Sequence, residues 1–311
     1  MTFLLYFCST LGTIIKISYT SVRQRIFMFK SNYKGPLYMA AASFCWSLGG
    51  LCLKFVPWNV LSIIGLRALL AAVVFAIFRK SVKVKLTRGN ILAAVFLSGT
   101  TILFVFANRL TTAAAAVTLQ FTAPAFILLI HFILYRKKPK LSEVLAVLVT
   151  VLGMLLFFAD DLDTGHMLGN VLAVFSGLTF ACVFVCNRRP DTQPEHSIML
   201  GFLINTVLWT PFAFFDSSIT ADIVPWAFIL LMGVVQVGLA YVFFNIGIKT
   251  TPALLGCLIV ALEPVLNPVW VAIFTDERPG RFALIGGIVI VLTVVAYNMW
   301  ETRSKAKEEI P

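Results

Sequence analysis

The chain has 311 residues, of which 59% are hydrophobic and only 13% charged. That leaves too little polar surface to coat one or two water-soluble domains, so a soluble globular protein is excluded. The formal net charge of +11 does not indicate nucleic acid as a partner, because the basic residues sit in short loops between apolar runs, as the cytoplasmic loops of membrane proteins require.

In chain order, residues 1–35 come first as an N-terminal extension. Its apolar stretch, Phe3 to Ile15, is about 13 residues, short of the roughly 20 that cross a bilayer. It also lacks the basic start and small-residue cleavage site of a signal peptide. Two readings stand: the stretch lies in the membrane interface, or translation starts at Met28 and residues 1–27 are dispensable.

Ten apolar runs follow, at 36–55, 59–78, 90–108, 113–135, 141–159, 166–187, 197–215, 223–247, 252–274 and 282–300. Each is close to bilayer length, and the connections are too short for an inserted soluble domain. The predicted fold is an all-α membrane protein with ten transmembrane helices, ending in a cytoplasmic tail at 302–311. The loops after the second and fourth runs carry Arg79, Lys80, Lys83, Lys85 and Arg88, then Arg136, Lys137, Lys138 and Lys140. With the N-terminal extension, Arg188, Arg189, Lys249 and the tail, one side of the membrane collects 20 of the 25 Lys and Arg. The other side holds Lys54, Arg109, Arg278 and Arg281, together with the acidic loops Asp160 to Asp163 and Asp216 to Asp222. Both termini are therefore expected in the cytoplasm and the chain in the cytoplasmic (inner) membrane. Trp58, Trp226 and Trp300 fall at run ends, where an aromatic belt would place them. The six cysteines lie in apolar segments without metal spacing and read as small packing residues.

The chain also repeats itself. A shift of 140 residues lays Thr118–Lys140 over Leu258–Gly280 and matches Pro124 to Pro264 and Pro139 to Pro279 without a gap. A shift of 134 brings Trp46 onto Phe180 and Lys54 onto Arg188. The unit is five runs, at 36–160 and 161–301. Five is odd, so the second copy is inverted relative to the first. The loop charges agree, since Arg136-Lys137-Lys138 loses its basic excess in the second copy, Asp276-Glu277-Arg278.

These features resemble the EamA family of the drug/metabolite transporter superfamily. The resemblance covers roughly residues 36–300 and rests on "AAASFCWSLGGLCLKF" in the first run, "LRALLAAVVF" in the second, "LEPVLNPVWVAIFTDERP" in the ninth and "IGGIVIVLTVVAYN" in the tenth. It implies two inverted five-helix repeats around a central cavity and transport of small metabolites, often as an exporter of amino acids or related solutes. One departure is Ala123 in the first copy, where the second has Glu263.

An ionisable group deep in an apolar run costs several kcal/mol unless it faces a cavity or a partner. Arg67 and Glu263 lie at matching depths and read as an anion site and an amine or proton site; the competing readings are a structural ion pair between them, a link from Arg67 to helix-end carbonyls, and a Glu263 that satisfies backbone groups freed by the break at Pro264. Trp46 is mid-run, where belt duty does not account for it, and reads either as a cavity wall or as core. Gln120, Gln236, Tyr241, Asn245 and Asn267 complete the candidate substrate-binding set, with interhelical hydrogen bonding as the alternative for each. Thr118, Thr122 and Asn205 are further polar candidates. His131 reads as interfacial, and His166 and His196 as loop residues. Ala113 to Ala116 and Gly286-Gly287 are read as sites of close helix approach.

No P-loop, zinc-protease motif or catalytic triad occurs, so no catalytic residues, metal or cofactor are assigned and an enzyme is not expected. The partners expected are a small-molecule substrate and the lipid bilayer, with proton coupling and the choice between monomer and homodimer left open. The leading reading is a secondary carrier working by alternating access, with efflux as the direction that the resemblance alone implies. Proton-coupled uptake and a non-transporting scaffold or lipid-handling protein are the alternatives.

Overall fold

The computed structural model of the protein describes residues 34–111, 113–136, 138–158, 167–274 and 281–308. The N-terminal stretch Phe3–Ile15, Met28, the acidic loop at 160–163, His166, the loop at 276–278 and the last three residues lie outside the described residues.

Among the described residues all regular structure is helical. The helices are α1 (Lys34–Trp46), α2 (Gly49–Lys54), α3 (Val60–Arg79), α4 (Arg88–Leu110), α5 (Ala113–Gln120), α6 (Ala123–Tyr135) and α7 (Leu141–Phe158) in the first half. The second half has α8 (Met167–Cys186), α9 (Pro194–Trp209) with a 3-10 turn (Thr210–Phe214), and α10 (Ile223–Leu231). A π-helical segment (Met232–Leu239) follows, then α11 (Ala240–Ile248), α12 (Ala253–Val260), α13 (Leu262–Phe274) and α14 (Arg281–Glu308). Six helical runs among the described residues are long and apolar enough to cross a membrane: Lys34–Leu53, Val60–Arg79, Arg88–Leu110, Met167–Cys186, Pro194–Phe214 and Ile223–Ile248. The remaining apolar helices, Ala123–Tyr135, Leu141–Leu156, Ala253–Asn267 and Ile285–Glu301, are shorter.

Local sequence sets the ends of α3 and α4. Asn59 caps α3 by accepting the Leu61 N–H at 2.9 Å, and Lys80 closes it in the left-handed region, φ 54°. Thr87 caps α4 by accepting the Asn90 N–H at 3.1 Å. Along α3, Leu69, Val73 and Ile77 form an exposed apolar ridge at four-residue spacing, while Ile64, Arg67, Ala68, Ala71 and Phe75 are buried on the other side. Lipid offers no hydrophobic driving force for such faces, so close packing of small residues has to hold the helices together. Gly65 lies against the backbone of Trp209 and Thr210, and Gly177 against the carbonyl of Gln120. Gly153 meets Gly286 where α7 and α14 cross, and Ala116 packs with Ala107 and Ala173.

Most of the packing joins the two halves: α4 with α8, α7 with α14, α3 with α9 and α1 with α11. Exchanging the halves maps the α4–α8 pair onto the α1–α11 pair and returns α3–α9 and α7–α14 to themselves. The helix breaks repeat in the same way. α5 stops at Gln120 and α12 at Val260, 140 residues later, and each resumes just ahead of its proline, Pro124 or Pro264. A proline in the first turn of a helix forfeits no hydrogen bond, which places both breaks before the ring rather than at it. Pro268 lies within α13, which continues to Phe274.

Trp58 departs from the expected belt. It is 2% exposed and packs on Trp226 at 4.9 Å, because the linker from α2 to α3 folds inward against α10. Trp226 and Trp300 are exposed. His131 is half-buried against Tyr135, and His196 belongs to the first turn of α9. The five described cysteines are free, four of them buried.

At one end of the helices the loop before α4 is clasped to the loop before α9. The Asp191 carboxylate accepts the Gly89 N–H at 2.9 Å and pairs with Arg189 at 3.0 Å. The Thr87 hydroxyl donates to the Asp191 carbonyl at 2.7 Å, and Arg79 contacts His196 Nδ1 at 3.0 Å. The hydrogen bond from Arg189 holds the Asp191 carboxyl below the usual carboxylate range. A folded-state value below the unfolded one means stability that is complete above the unfolded value and lost as pH falls through the folded one. Asp191→Asn is therefore expected to lower the melting temperature slightly at neutral pH and to converge with wild type below about pH 4, so that the acid limb of its profile is flatter, measured by thermal unfolding in detergent.

Candidate functional site

The cavity between the halves contains about 600 Å³ not filled by protein atoms, counted to its open side. The elements that build it are those whose geometry is irregular or tightly crossed. The close α3–α9 contact at Gly65 sets Arg67 two residues further along α3. The break after α5 leaves Gln120 as a terminal residue, and the break before α13 makes Glu263 its second. The π segment carries Gln236 and Val237 to the wall, and Tyr241 follows at the start of α11. π turns favour such positions because their widened hydrogen-bond ladder re-aims side chains.

Six of the eight residues expected from sequence line this cavity: Trp46, Arg67, Gln120, Gln236, Tyr241 and Glu263. Asn245 and Asn267 do not. Asn245 is buried on α11 with its Oδ1 unpartnered among the described residues. Asn267 is turned onto Gly50 of α2, the glycine that lets the two helices touch. The residues that sequence reasoning left out of the set are Ala68, Thr100, Thr101, Phe104, Phe180, Phe202, Asn205 and Val237. The sequence marks Asn205 only as a polar residue within a run, and Phe180 only as the repeat partner of Trp46.

One wall is aromatic. Trp46 meets Tyr241 at 5.0 Å, Phe244 at 5.5 Å and Phe180 at 6.1 Å, and Phe202 meets Tyr241 at 5.3 Å, all steeply inclined. Trp46 is thus cavity wall and core at once. Alongside it, Phe75, Phe184, Phe244, Met39, Ile198 and Met199 are almost fully buried and form a solid layer.

The remaining wall is polar. Gln120 Nε2 donates to Ser176 Oγ at 2.7 Å, Ser98 Oγ to Asn205 Oδ1 at 2.5 Å, and Thr100 Oγ1 to Thr179 Oγ1 at 2.9 Å. Gln236 Nε2 reaches the Trp46 carbonyl at 3.4 Å. Thr122 instead donates to the Leu119 carbonyl at 2.8 Å and tightens the break.

The charges stand apart from these bonds. Arg67 is 6% exposed and Glu263 8%, and neither side chain has a hydrogen bond or ion pair among the described residues. They do not pair with each other, although Tyr241 lies within electrostatic reach of both. Arg109, by contrast, spends its guanidinium on the Val56 carbonyl at 2.7 Å, and Arg188 on the Lys249 carbonyl at 3.0 Å. A cation and an anion held apart over one cavity can accept a solute bearing the opposite charges.

The chain matches the EamA-like transporter family over residues 33–159 and again over 167–299. It is 22% identical over 201 residues to the uncharacterized transporter YxxF of Bacillus subtilis, covering 63% of this chain and 64% of that protein. It is 25% identical over 217 residues to an uncharacterized transporter of Archaeoglobus fulgidus, covering 65% and 74%. Against the biotin transporter of Escherichia coli K12 it is 24% identical over 185 residues, covering 57% and 62%. The match thus spans less than two thirds of the Bacillus and Escherichia relatives. One solved crystal structure superposes with a TM-score of 0.71 at 20% identity, over 88% of this chain and 99% of that one, which establishes likeness of fold. The two matched segments coincide with the two halves whose packing and helix breaks repeat, and this chain belongs to the EamA-like transporter family.

Proposed function

We propose that the protein is a secondary carrier that moves a small zwitterionic metabolite, of the amino-acid class, out across the cytoplasmic membrane. In this reading ten helices in two inverted five-helix halves cross the bilayer, both termini are cytoplasmic, and the halves rock about the central cavity. The observation that carries it is Arg67 and Glu263 on that one cavity, neither of them paired among the described residues. Two buried charges held apart cost several kcal/mol that a structural role would have removed by pairing them. An ammonium and a carboxylate on one solute would satisfy both, and the aromatic wall would take an apolar side chain. The loop charges support the orientation.

The test is counterflow in proteoliposomes, with each proteinogenic amino acid loaded in turn, followed by export from cells that overexpress or lack the protein. Saturable counterflow of at least one amino acid is expected. Protein that is monodisperse yet moves none of them would sink the reading. The biotin transporters among the relatives support a second one, in which Arg67 binds the carboxylate of a solute without an amine. Counterflow of biotin, insensitive to Glu263→Gln, would identify that case.

A further inference from the structure

Three neutral amides line the cavity: Gln236 donates its Nε2 to the Trp46 carbonyl and its Oε1 is buried away from the open space, whereas Asn205 and Gln120 each have one end committed, in opposite senses. The Ser98 hydroxyl donates its single proton to Asn205 Oδ1, which leaves the Asn205 NH2 group as the free end. Gln120 is the reverse. Its Nε2 donates to Ser176 Oγ, whose own proton points to the Thr100 carbonyl at 3.4 Å, so Gln120 Oε1 is the free end. Both residues are almost fully buried and both line the cavity. Neither free end has a partner among the described residues.

Their positions sort them by charge. Arg67 lies two residues beyond Gly65, and Asn205 four residues before Trp209, on the same side of the α3–α9 contact. At 1.5 Å rise per residue the two are within about one turn of each other in depth. Gln120 ends α5, which touches α13, where Glu263 is the second residue. The donor amide therefore accompanies the cation and the acceptor amide accompanies the anion.

We propose that Asn205 is a substrate-contacting donor which, with Arg67, forms a carboxylate pole, and that Gln120 and Glu263 form an ammonium pole. Ser98 and Ser176 are the positioning residues that keep the two amides from turning over. This rests on the zwitterion reading above and adds which residues set the polarity of the site. A site built to hydrogen-bond a group rejects analogues that lack it far more strongly than an apolar pocket rejects a missing methylene.

The experiment uses full-length protein in proteoliposomes, with leucine and phenylalanine as substrates. Leucinamide, which lacks the carboxylate, and 4-methylpentanoate, which lacks the amine, serve as competitors. Asn205→Asp keeps the acceptor for Ser98 and the side-chain shape but removes the free donors. It is expected to raise the KM for both amino acids at least tenfold and to change inhibition by leucinamide less than threefold. Ser98→Ala, a smaller perturbation in case Asn205→Asp is poorly folded, is expected to raise KM severalfold at unchanged turnover, and Ser98→Thr to restore it. Ser176→Ala should weaken inhibition by leucinamide more than inhibition by 4-methylpentanoate. Equal losses on both competitors, or a Ser98→Ala protein indistinguishable from wild type, overturn the polarity assignment while leaving the zwitterion reading intact. A wild type that moves neither these nor any other amino acid overturns both.

Discussion

Arg67→Gln is expected to lower kcat/KM for the amino-acid substrate by about a hundredfold while leaving the melting temperature unchanged or raised. A charge-assisted hydrogen bond to a substrate carboxylate is worth roughly 1.5–3 kcal/mol, and each 1.4 kcal/mol is tenfold. The expected loss on the side of function is therefore large. On the side of stability the sign is opposite, because the guanidinium is buried and no residue among those described pairs with it. Removing an uncompensated buried charge relieves a cost rather than breaking a contact. Glu263→Gln should behave alike, with lost transport and an undiminished melting temperature. The measurements are counterflow kinetics and thermal unfolding on the same preparations. A melting temperature that falls by several degrees in both variants would show the two charges to be structural, and the substrate assignment would go with it.

Gly65→Ala is expected to have the second largest effect, this time on the fold. Helix propensity alone favours the substitution by up to about 1 kcal/mol. A Cβ at this position, however, would lie 2.3 Å from the Thr210 nitrogen, 2.5 Å from the Trp209 carbonyl carbon and 2.6 Å from the Thr210 Cα. All three are backbone atoms, so no rotamer can relieve the clash and α3 must move away from α9. Overpacking of this kind costs about 1–3 kcal/mol, which outweighs the propensity gain. The expected result is a melting temperature lower by about 5 °C and impaired transport, since Arg67 and Asn205 are set by that crossing. Gly99→Ala is the control. Its Cβ would meet only Thr179 Cγ2, at 3.7 Å, so propensity should decide and stability should hold or rise slightly. A Gly65→Ala protein as stable as the Gly99→Ala protein would contradict the contact.

How legible the molecule was in its sequence depended on whether a residue's cost was local. A buried Arg67 or Glu263 is anomalous in an apolar run whatever surrounds it, so charge density alone singles both out. The paired breaks before Pro124 and Pro264 could be read because proline acts on its own turn. Thr100, Phe104 and Phe202 carry no such mark, since a threonine or phenylalanine suits the lipid face, the core and the cavity equally well. Helical spacing also misled in one place. Asn267 is one turn beyond Glu263 and shares its face by periodicity, yet the close approach of α13 to Gly50 takes that turn away from the cavity. Trp58 could not be separated from an aromatic belt because its burial comes from a linker folding inward, which periodicity does not encode.

The π segment at Met232–Leu239 bears on how the eighth apolar run should be compared between proteins. Gln236 and Tyr241 face the same cavity five residues apart, the interval of an i to i+5 ladder and not of an α-helix. The segment acts as a phase shifter: everything after it is turned by one residue's worth of rotation relative to a helical wheel begun at Ile223. Loss of a single residue there would bring the downstream helix back into ordinary phase, exchanging its cavity-facing side chains as a set without altering any of them. A gap of one position in this run is therefore a change in the lining of the cavity, equivalent to several substitutions made together.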